Sequence, residues 1–174
     1  VEGVYPKMLY SFNFNVGYKN WDLSVFFQGI TRRKIWTDFF GDAPFAQGAP
    51  PSSRFLDAWT PENTDTNVPA LYTHGYAPMT GLRSTYNLKD AAYLRLKNIQ
   101  LGYTFPKKWV NKLSVSNLRV YASATNLFTI TSYDGLDPEV GKTSGQESNN
   151  LYLGIDQGVY PQARSYMFGV IIDF

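Results

Sequence analysis

Side chains alternate between apolar and polar along several stretches of this chain, and this alternation constrains the fold more than any other feature. In residues 8–18 the even positions are apolar or aromatic, whereas most odd positions are polar or small. Successive side chains of a β-strand point to opposite faces, so a period of two predicts a strand. The same period recurs along the chain and predicts strands at about residues 8–19, 21–29, 93–105, 117–128 and 164–174.

The length of these strands favours a membrane setting. Strands of about 8–11 residues, at about 3.3 Å per residue and a tilt near 45°, cover an apolar band about 25 Å tall. Strands of soluble sheets average about 5–6 residues. We therefore predict an all-β fold, a transmembrane antiparallel β-barrel whose strands alternate lipid-facing and lumen-facing residues.

The connections predict an orientation. Short links join the first strand to the second and the third to the fourth, whereas long loops occupy about residues 30–92 and 129–163. Outer-membrane barrels have short periplasmic turns and long extracellular loops. Aromatic residues collect at the predicted periplasmic end, as an interfacial girdle requires. The members of this predicted girdle are Tyr18, Trp21, Tyr103, Phe105 and Trp109, with Phe174 at the same end.

Five strands are too few to close a barrel, which needs at least about eight. An open sheet edge in lipid would leave backbone amides unpaired, at several kcal/mol each. We therefore expect the first and last strands to pair with further chain, so that residues 1–174 form the C-terminal part of a longer barrel.

Composition excludes several other classes. The chain has no Cys, which rules out disulfides and thiolate metal sites, and its net charge of +2 is spread along the sequence, which argues against nucleic-acid binding. No run approaches the roughly 18 apolar residues of a membrane-spanning helix. We found no nucleophile and base at workable spacing and no phosphate-binding loop, so we predict no enzymatic activity and no cofactor.

Two sets of residues follow from the face assignment. The apolar face of the last strand resembles the signal read by barrel-assembly machinery. Its members are Tyr166, Phe168, Val170, Ile172 and Phe174. Polar residues of the other strands are predicted to face the lumen, where they contact a plug, water or cargo. These residues are Asn13, Asn15, Asp22, Gln28, Asn98, Gln100 and Arg119.

The long loops offer few candidates for chemistry. Asp134, Asp137 and Glu139 carry oxygen ligands suited to Ca²⁺, but they lack the spacing of a calcium loop, so we predict no metal site. His74 is the only histidine and lies among turn residues. The first loop is rich in aromatic residues, which indicates order, and residues 54–59 are predicted to form a helical turn or two.

Five motifs stand out in the second half of the chain. They are residues 93–103, Asn126-Leu127-Phe128, residues 133–139, Gly158-Val159-Tyr160-Pro161 and Arg164-Ser165-Tyr166. As an ordered set they resemble the C-terminal end of SusC/RagA-type TonB-dependent transporters. The likeness covers nearly the whole chain and is densest after residue 93.

This resemblance implies more than the pattern does. It implies a 22-stranded barrel of which these are the last five strands, located in a Gram-negative, Bacteroidetes-type outer membrane. It implies import of nutrient oligomers, glycans or peptides. It also implies a SusD-like surface lipoprotein as partner and energy from TonB, coupled through a plug and N-terminal region that this sequence lacks.

Two alternatives remain open on sequence grounds. A soluble β-sandwich carbohydrate-binding module would also be aromatic-rich and free of cysteine, but it would bury its apolar faces between two sheets. A passive porin-type barrel would share the strand pattern and lack TonB coupling.

Overall fold

The computed structural model describes residues 3–37, 50–71, 85–110, 115–139 and 154–174. Within these ranges most of the regular secondary structure is β-strand. In chain order the strands are β1 (Met8–Tyr18), β2 (Trp21–Thr31), β3 (Lys34–Thr37), β4 (Leu88–Asp90), β5 (Tyr93–Thr104), β6 (Asn117–Thr131), β7 (Ile155–Asp156) and β8 (Ser165–Asp173).

The five long strands form one antiparallel sheet in the order β1-β2-β5-β6-β8. Each begins and ends within three residues of the bounds that alternation predicts, and the largest difference is at β6, which extends to Thr131. We call the end of this sheet that holds Tyr18, Trp21 and Thr104 the turn end, and the end that holds Met8, Thr31 and Tyr93 the loop end.

The register gives the sheet one continuous apolar face. Across the strands, Phe14 pairs with Val25, Val25 with Ile99, and Ile99 with Ala124, and paired residues of an antiparallel sheet point to the same side. A β-bulge at Lys97 adds one residue to β5 between its pairs with β2. Because an extra residue reverses the alternation, the apolar positions of β5 are odd after Lys97 and even before it.

Nothing among the described residues covers this apolar face. Side chains that a β-sandwich would bury between two sheets are instead largely exposed: Phe12 at 61%, Phe14 at 57%, Leu101 at 44%, Phe168 at 82% and Ile172 at 48%. An apolar surface of this extent on a soluble module would be a large exposed patch. The described residues therefore lack the apolar core between two sheets that defines a β-sandwich.

A second, smaller sheet lies at the loop end and was not predicted. Its order is β4-β3-β7, with β3 antiparallel to β4 and parallel to β7. Ile35, Ala91 and Tyr133 form a buried cluster here, with Val159 packed against it. The small sheet anchors parts of both long loops to the end of the large sheet.

Helical structure is short. A 3-10 helix covers Ser53–Asp57, where a turn or two was predicted, and another covers Thr85–Asn87. One α-helical turn, α1 (Lys107–Val110), lies in the link between β5 and β6 and contacts β6. Among the residues that the structure describes, no helix has the length and apolar character needed to cross a membrane.

Candidate functional site

The polar face of the large sheet gathers the residues predicted to face a lumen. In one row across the strands, Phe26 of β2 pairs with Asn13 of β1 and with Asn98 of β5. In the next row on this face, Ser24 of β2 pairs with Asn15 of β1 and with Gln100 of β5. Gln28, Asp22 and Arg119 fall on the same side by the same ladders. The register therefore brings all seven predicted residues to one face, opposite the apolar one. Whether a lumen lies on that side stays a prediction.

An ion pair crosses the polar face near the turn end. Arg119 in β6 donates from Nε to Oδ1 of Asp22 at 3.2 Å and from Nη2 to Oδ2 at 2.5 Å. Asp22 lies in β2, so the pair spans the intervening strand β5 directly above Gly102. A Cβ on Gly102 would lie 2.4 Å from Arg119 Nη2 and 2.5 Å from Asp22 Oδ1. Glycine is therefore the residue that leaves room for this pair.

A second ionic cluster lies on the polar face near the loop end, and we call it the Arg95 clamp. Arg95 is 3% exposed and donates to Asp137 Oδ1 at 2.6 Å and to Glu139 Oε2 at 2.8 Å. Its Nε donates to Thr129 Oγ1 at 2.7 Å, which fixes the guanidinium against β6. Lys97 adds a bond from Nζ to Glu139 Oε2 at 2.6 Å. The clamp ties the second long loop to β5.

Asp137 is the centre of the clamp on the loop side. Its Oδ1 accepts the backbone N–H of Glu139 at 2.8 Å, and its Oδ2 accepts that of Gln162 at 2.8 Å. Burial acts to raise the pKa of this carboxyl, but the hydrogen bonds from Arg95, Gln162 and Glu139 outweigh burial and lower the pKa below its usual value. The carboxylate therefore stays ionised and holds both ends of the loop.

The three acidic residues considered as calcium ligands have protein cations as partners. Asp134 pairs with Lys89 at 3.3 Å, while Asp137 and Glu139 belong to the clamp. Among the described residues no group of three or more His, Asp or Glu side chains is arranged to hold a metal ion. The 133–139 motif acts instead as a loop anchor. The sequence indicates the acidic residues of this motif but not their pairing with Arg95, because 42 residues separate Arg95 from Asp137.

A cavity of about 560 Å³ opens at the loop end between the two long loops. Tyr86 lies on one wall, where the Arg54 guanidinium and the Lys89 ammonium each lie against its ring at 5.5 Å and 4.9 Å. On another wall Tyr133 donates its hydroxyl hydrogen to Asp156 Oδ2 at 2.5 Å, and Asp156 also accepts the backbone N–H of Gly158. The walls of the cavity therefore carry both cationic and anionic side chains.

The predicted aromatic girdle forms a chain of ring contacts at the turn end. Centroids lie 4.7 Å apart for Trp21 and Tyr103, 5.0 Å for Tyr103 and Phe105, and 6.2 Å for Phe105 and Trp109. Tyr18 pairs with Trp21 in the hairpin, so it lies at the same end and face. The structure brings four of these rings into contact and places Tyr18 at the same end of the sheet. The position of the rings at a lipid–water boundary stays a prediction.

The remaining predicted residues are placed as follows. Tyr166, Phe168, Val170 and Ile172 share the apolar face of β8, and Phe174 follows that strand with 95% exposure. Lys107 and Lys108 are exposed in α1. His74 and the aromatic residues at positions 39, 40, 45, 72 and 76 lie outside the described residues.

Comparison with known proteins gives a consistent set of relatives. No protein-family model matches the chain. TonB-dependent receptor P3 of Formosa agariphila is 32% identical over 171 residues, which is 97% of this chain and 16% of the receptor. TonB-dependent receptor SusC of Bacteroides thetaiotaomicron is 30% identical over 158 residues, or 90% of this chain and 14% of SusC.

Solved structures agree with these relatives. The RagAB peptide importer in its open-open state matches with a TM-score of 0.75 at 28% identity, covering 98% of this chain and 17% of the importer chain. The same importer in its closed-closed state matches with a TM-score of 0.72 at 27% identity. The chain thus spans about one sixth of the length of the proteins it matches.

Proposed function

Because this chain belongs to the TonB-dependent receptors of the SusC and RagA type, we propose that it is a stretch of barrel wall in an outer-membrane importer of nutrient oligomers. The transported molecules would pass along the polar face, and lipid would cover the apolar face. Catalysis has no part in this proposal. The single observation that carries the proposal is that the large sheet has one apolar face and one polar face.

The two faces have the properties that a barrel wall needs. One carries apolar side chains on all five long strands, many of them exposed, and the other carries amides, hydroxyls and two ion-pair clusters. In a bilayer, apolar exposure carries no penalty, because the hydrocarbon replaces a protein core. In water, the same face would promote aggregation.

The sheet also has two edges for which the described residues provide no partner strand, at β1 and at β8. Backbone N–H and C=O groups inside a bilayer must be bonded. We therefore propose that both edges pair with strands of the complete protein, which closes a barrel in the 22-strand size class of outer-membrane transporters.

The orientation follows from the connections. Lys19-Asn20 and the α1 link would face the periplasm, and the two long loops would face outward, as in other outer-membrane barrels. The Trp21–Trp109 ring chain would then lie at the periplasmic boundary of the lipid.

Partners and cargo extend the same proposal. A SusD-like surface lipoprotein would bind over the loop end, and TonB would act through a plug and N-terminal region outside this chain. The Arg95 clamp would hold the second loop over the mouth of the barrel, beside the 560 Å³ cavity. Peptides and glycans are both candidate cargo, and one of the matching structures, RagAB, is a peptide importer.

Cysteine labelling in the complete protein tests the wall. Residues 1–174 contain no Cys, so replacements here can be followed once any others are removed. Phe14→Cys and Asn15→Cys are neighbours on opposite faces of β1. We expect a lipid-soluble maleimide to label the first and a water-soluble maleimide the second, in intact outer membranes. Water-soluble labelling of both residues would refute the barrel wall.

A growth experiment tests import and its energy source. Deleting the complete gene should abolish growth on one class of oligomer, peptide or glycan, while growth on the monomers continues. Removing TonB should have the same effect. Growth that depends on the gene but not on TonB would favour the passive porin instead.

A further inference from the structure

The apolar face is not uniformly bulky, because β6 carries small residues between two strands with large ones. Ala122 lies between Leu101 of β5 and Phe168 of β8, and Val120 lies between Tyr103 and Val170. These residues, with Trp21, line a groove of about 490 Å³ that runs along β6. We call it the β6 groove.

The walls of the β6 groove stand well above its floor. Leu101 and Phe168 form opposite walls, whereas Ala122 between them leaves only a methyl group on the floor. The floor follows one strand, so the groove is long and one side chain wide. That shape suits an extended hydrocarbon chain better than a helix, whose diameter with side chains is about 10–12 Å.

Positive charge lies at the turn end of the groove. The two strands that form its floor and one wall, β6 and β5, are joined there by the link that contains α1, and α1 contacts β6. Lys107 and Lys108 are exposed on this helical turn, while Val110 at 1% exposure anchors it. Trp109 continues the ring chain from Tyr103, which itself lines the groove.

We propose that the β6 groove binds one acyl chain of an anionic phospholipid, whose phosphate is bound by Lys107 and Lys108. The order of features matches such a lipid from tail to head: an apolar trough, an interfacial aromatic belt, then two ammonium groups. This inference rests on the proposed function, since it needs the apolar face to lie in a bilayer. The partner is one lipid of defined charge held at one place.

The test measures lipid binding by the complete transporter. The protein is purified in mild detergent, delipidated and titrated with phosphatidylglycerol or, separately, phosphatidylcholine, and bound lipid is counted by native mass spectrometry. We expect one tightly bound phosphatidylglycerol and weaker binding of phosphatidylcholine.

Two variants remove the two parts of the site. Ala122→Phe fills the trough and should weaken phosphatidylglycerol binding severalfold, because the acyl chain loses its packing contacts along the floor. Lys107→Gln with Lys108→Gln should weaken it about fivefold for each lysine, which corresponds to about 1 kcal/mol per cation near an anionic surface. The double lysine variant should also abolish the preference over phosphatidylcholine.

Matched controls lie elsewhere on the same surface. Val16→Phe adds the same ring on the apolar face of β1, away from the groove, and Lys19→Gln removes a lysine from the other turn at the same end. Both should bind phosphatidylglycerol like the unaltered protein. Should Ala122→Phe assemble poorly, Ala122→Leu fills the trough with less volume.

Three results would overturn the proposal. Equal binding by all variants would mean that no such site exists. Weakening by the controls as strong as by Ala122→Phe would mean that lipid binds the whole apolar face indiscriminately. If the unaltered protein is a dimer, and the Ala122→Phe variant is a monomer that binds lipid as before, the groove would be a protein interface. If the cysteine labelling described above also gives the opposite result, the proposal of a barrel wall is wrong. If the labelling gives the expected result, only the proposal of a lipid site is wrong.

Discussion

Arg119 in β6 and Asp22 in β2 form a two-bond ion pair across the strand that separates them, and Gly102 of that strand lies directly beneath the pair. Three strands are thereby joined on the polar face, beyond the backbone ladder that joins each to its neighbour. The residues are 97 positions apart in the chain. The glycine and the ion pair form one unit, which leads to the first prediction.

Gly102→Ala should destabilise the sheet by up to about 1 kcal/mol, because the new methyl group displaces the ends of two partly exposed side chains and breaks their ion pair. The new Cβ would lie 2.4 Å from Arg119 Nη2, so the pair must shift or break. Gly17→Ala is the matched control. It lies on the same face, in register with Asp22, and its Cβ would meet nothing closer than 3.9 Å. Thermal unfolding of the complete barrel measures the difference, and equal midpoints for the two variants would contradict it.

Asp137→Ala should release the second long loop from the sheet. The change leaves the buried Arg95 guanidinium without one of its carboxylates and removes the acceptor of two backbone N–H groups. Because Glu139 remains bonded to Arg95, the cost should lie below the roughly 3–5 kcal/mol of a buried charge left with no partner. Hydrogen exchange at Glu139 and Gln162 should accelerate by a large factor.

Asp134→Ala is the control for that experiment. Asp134 is 57% exposed and pairs with Lys89, so its loss should cost no more than about 1 kcal/mol and leave exchange at Gln162 nearly unchanged. Similar exchange in the two variants would show that the Arg95 clamp does not hold the loop.

The clamp should also respond to acid. The pKa of Asp137 is lowered from its usual 3.8, so its ionised form is favoured in the closed loop. The stabilisation is therefore fully present above pH 3.8 and is lost as pH falls through the lowered value. Protection of the Gln162 N–H should fall in that acid range. In Asp137→Asn, which does not titrate, protection should show no such step; a step of equal size there would assign the change to another group.

Deleting Phe174 should lower the amount of the complete transporter in the outer membrane without lowering the stability of the molecules that do assemble. Phe174 is 95% exposed and so contributes little packing within the described residues. Tyr160→Ala, which removes another ring, 88% exposed and outside the last strand, is the control. Immunoblots of outer-membrane fractions measure assembly, and normal levels after the deletion would remove the assembly-signal hypothesis.

Local pattern determined the five long strands and their two faces. A period of two can be read from a few consecutive residues, and an antiparallel ladder then brings like faces together. The predicted lumen-facing residues, from Asn13 to Arg119, lie on one face for this reason. The girdle rings meet at one end because each lies at the same end of its strand.

Other features were decided only by the tertiary structure. The bulge at Lys97 reverses the alternation of β5, and its position depends on pairing with β2 and β6. The small sheet β4-β3-β7 uses strands of two to four residues, too short to carry a period. The Arg95 clamp and the Asp22–Arg119 pair join residues far apart in the chain, so the strand register, and not the neighbouring sequence, determines which charges meet.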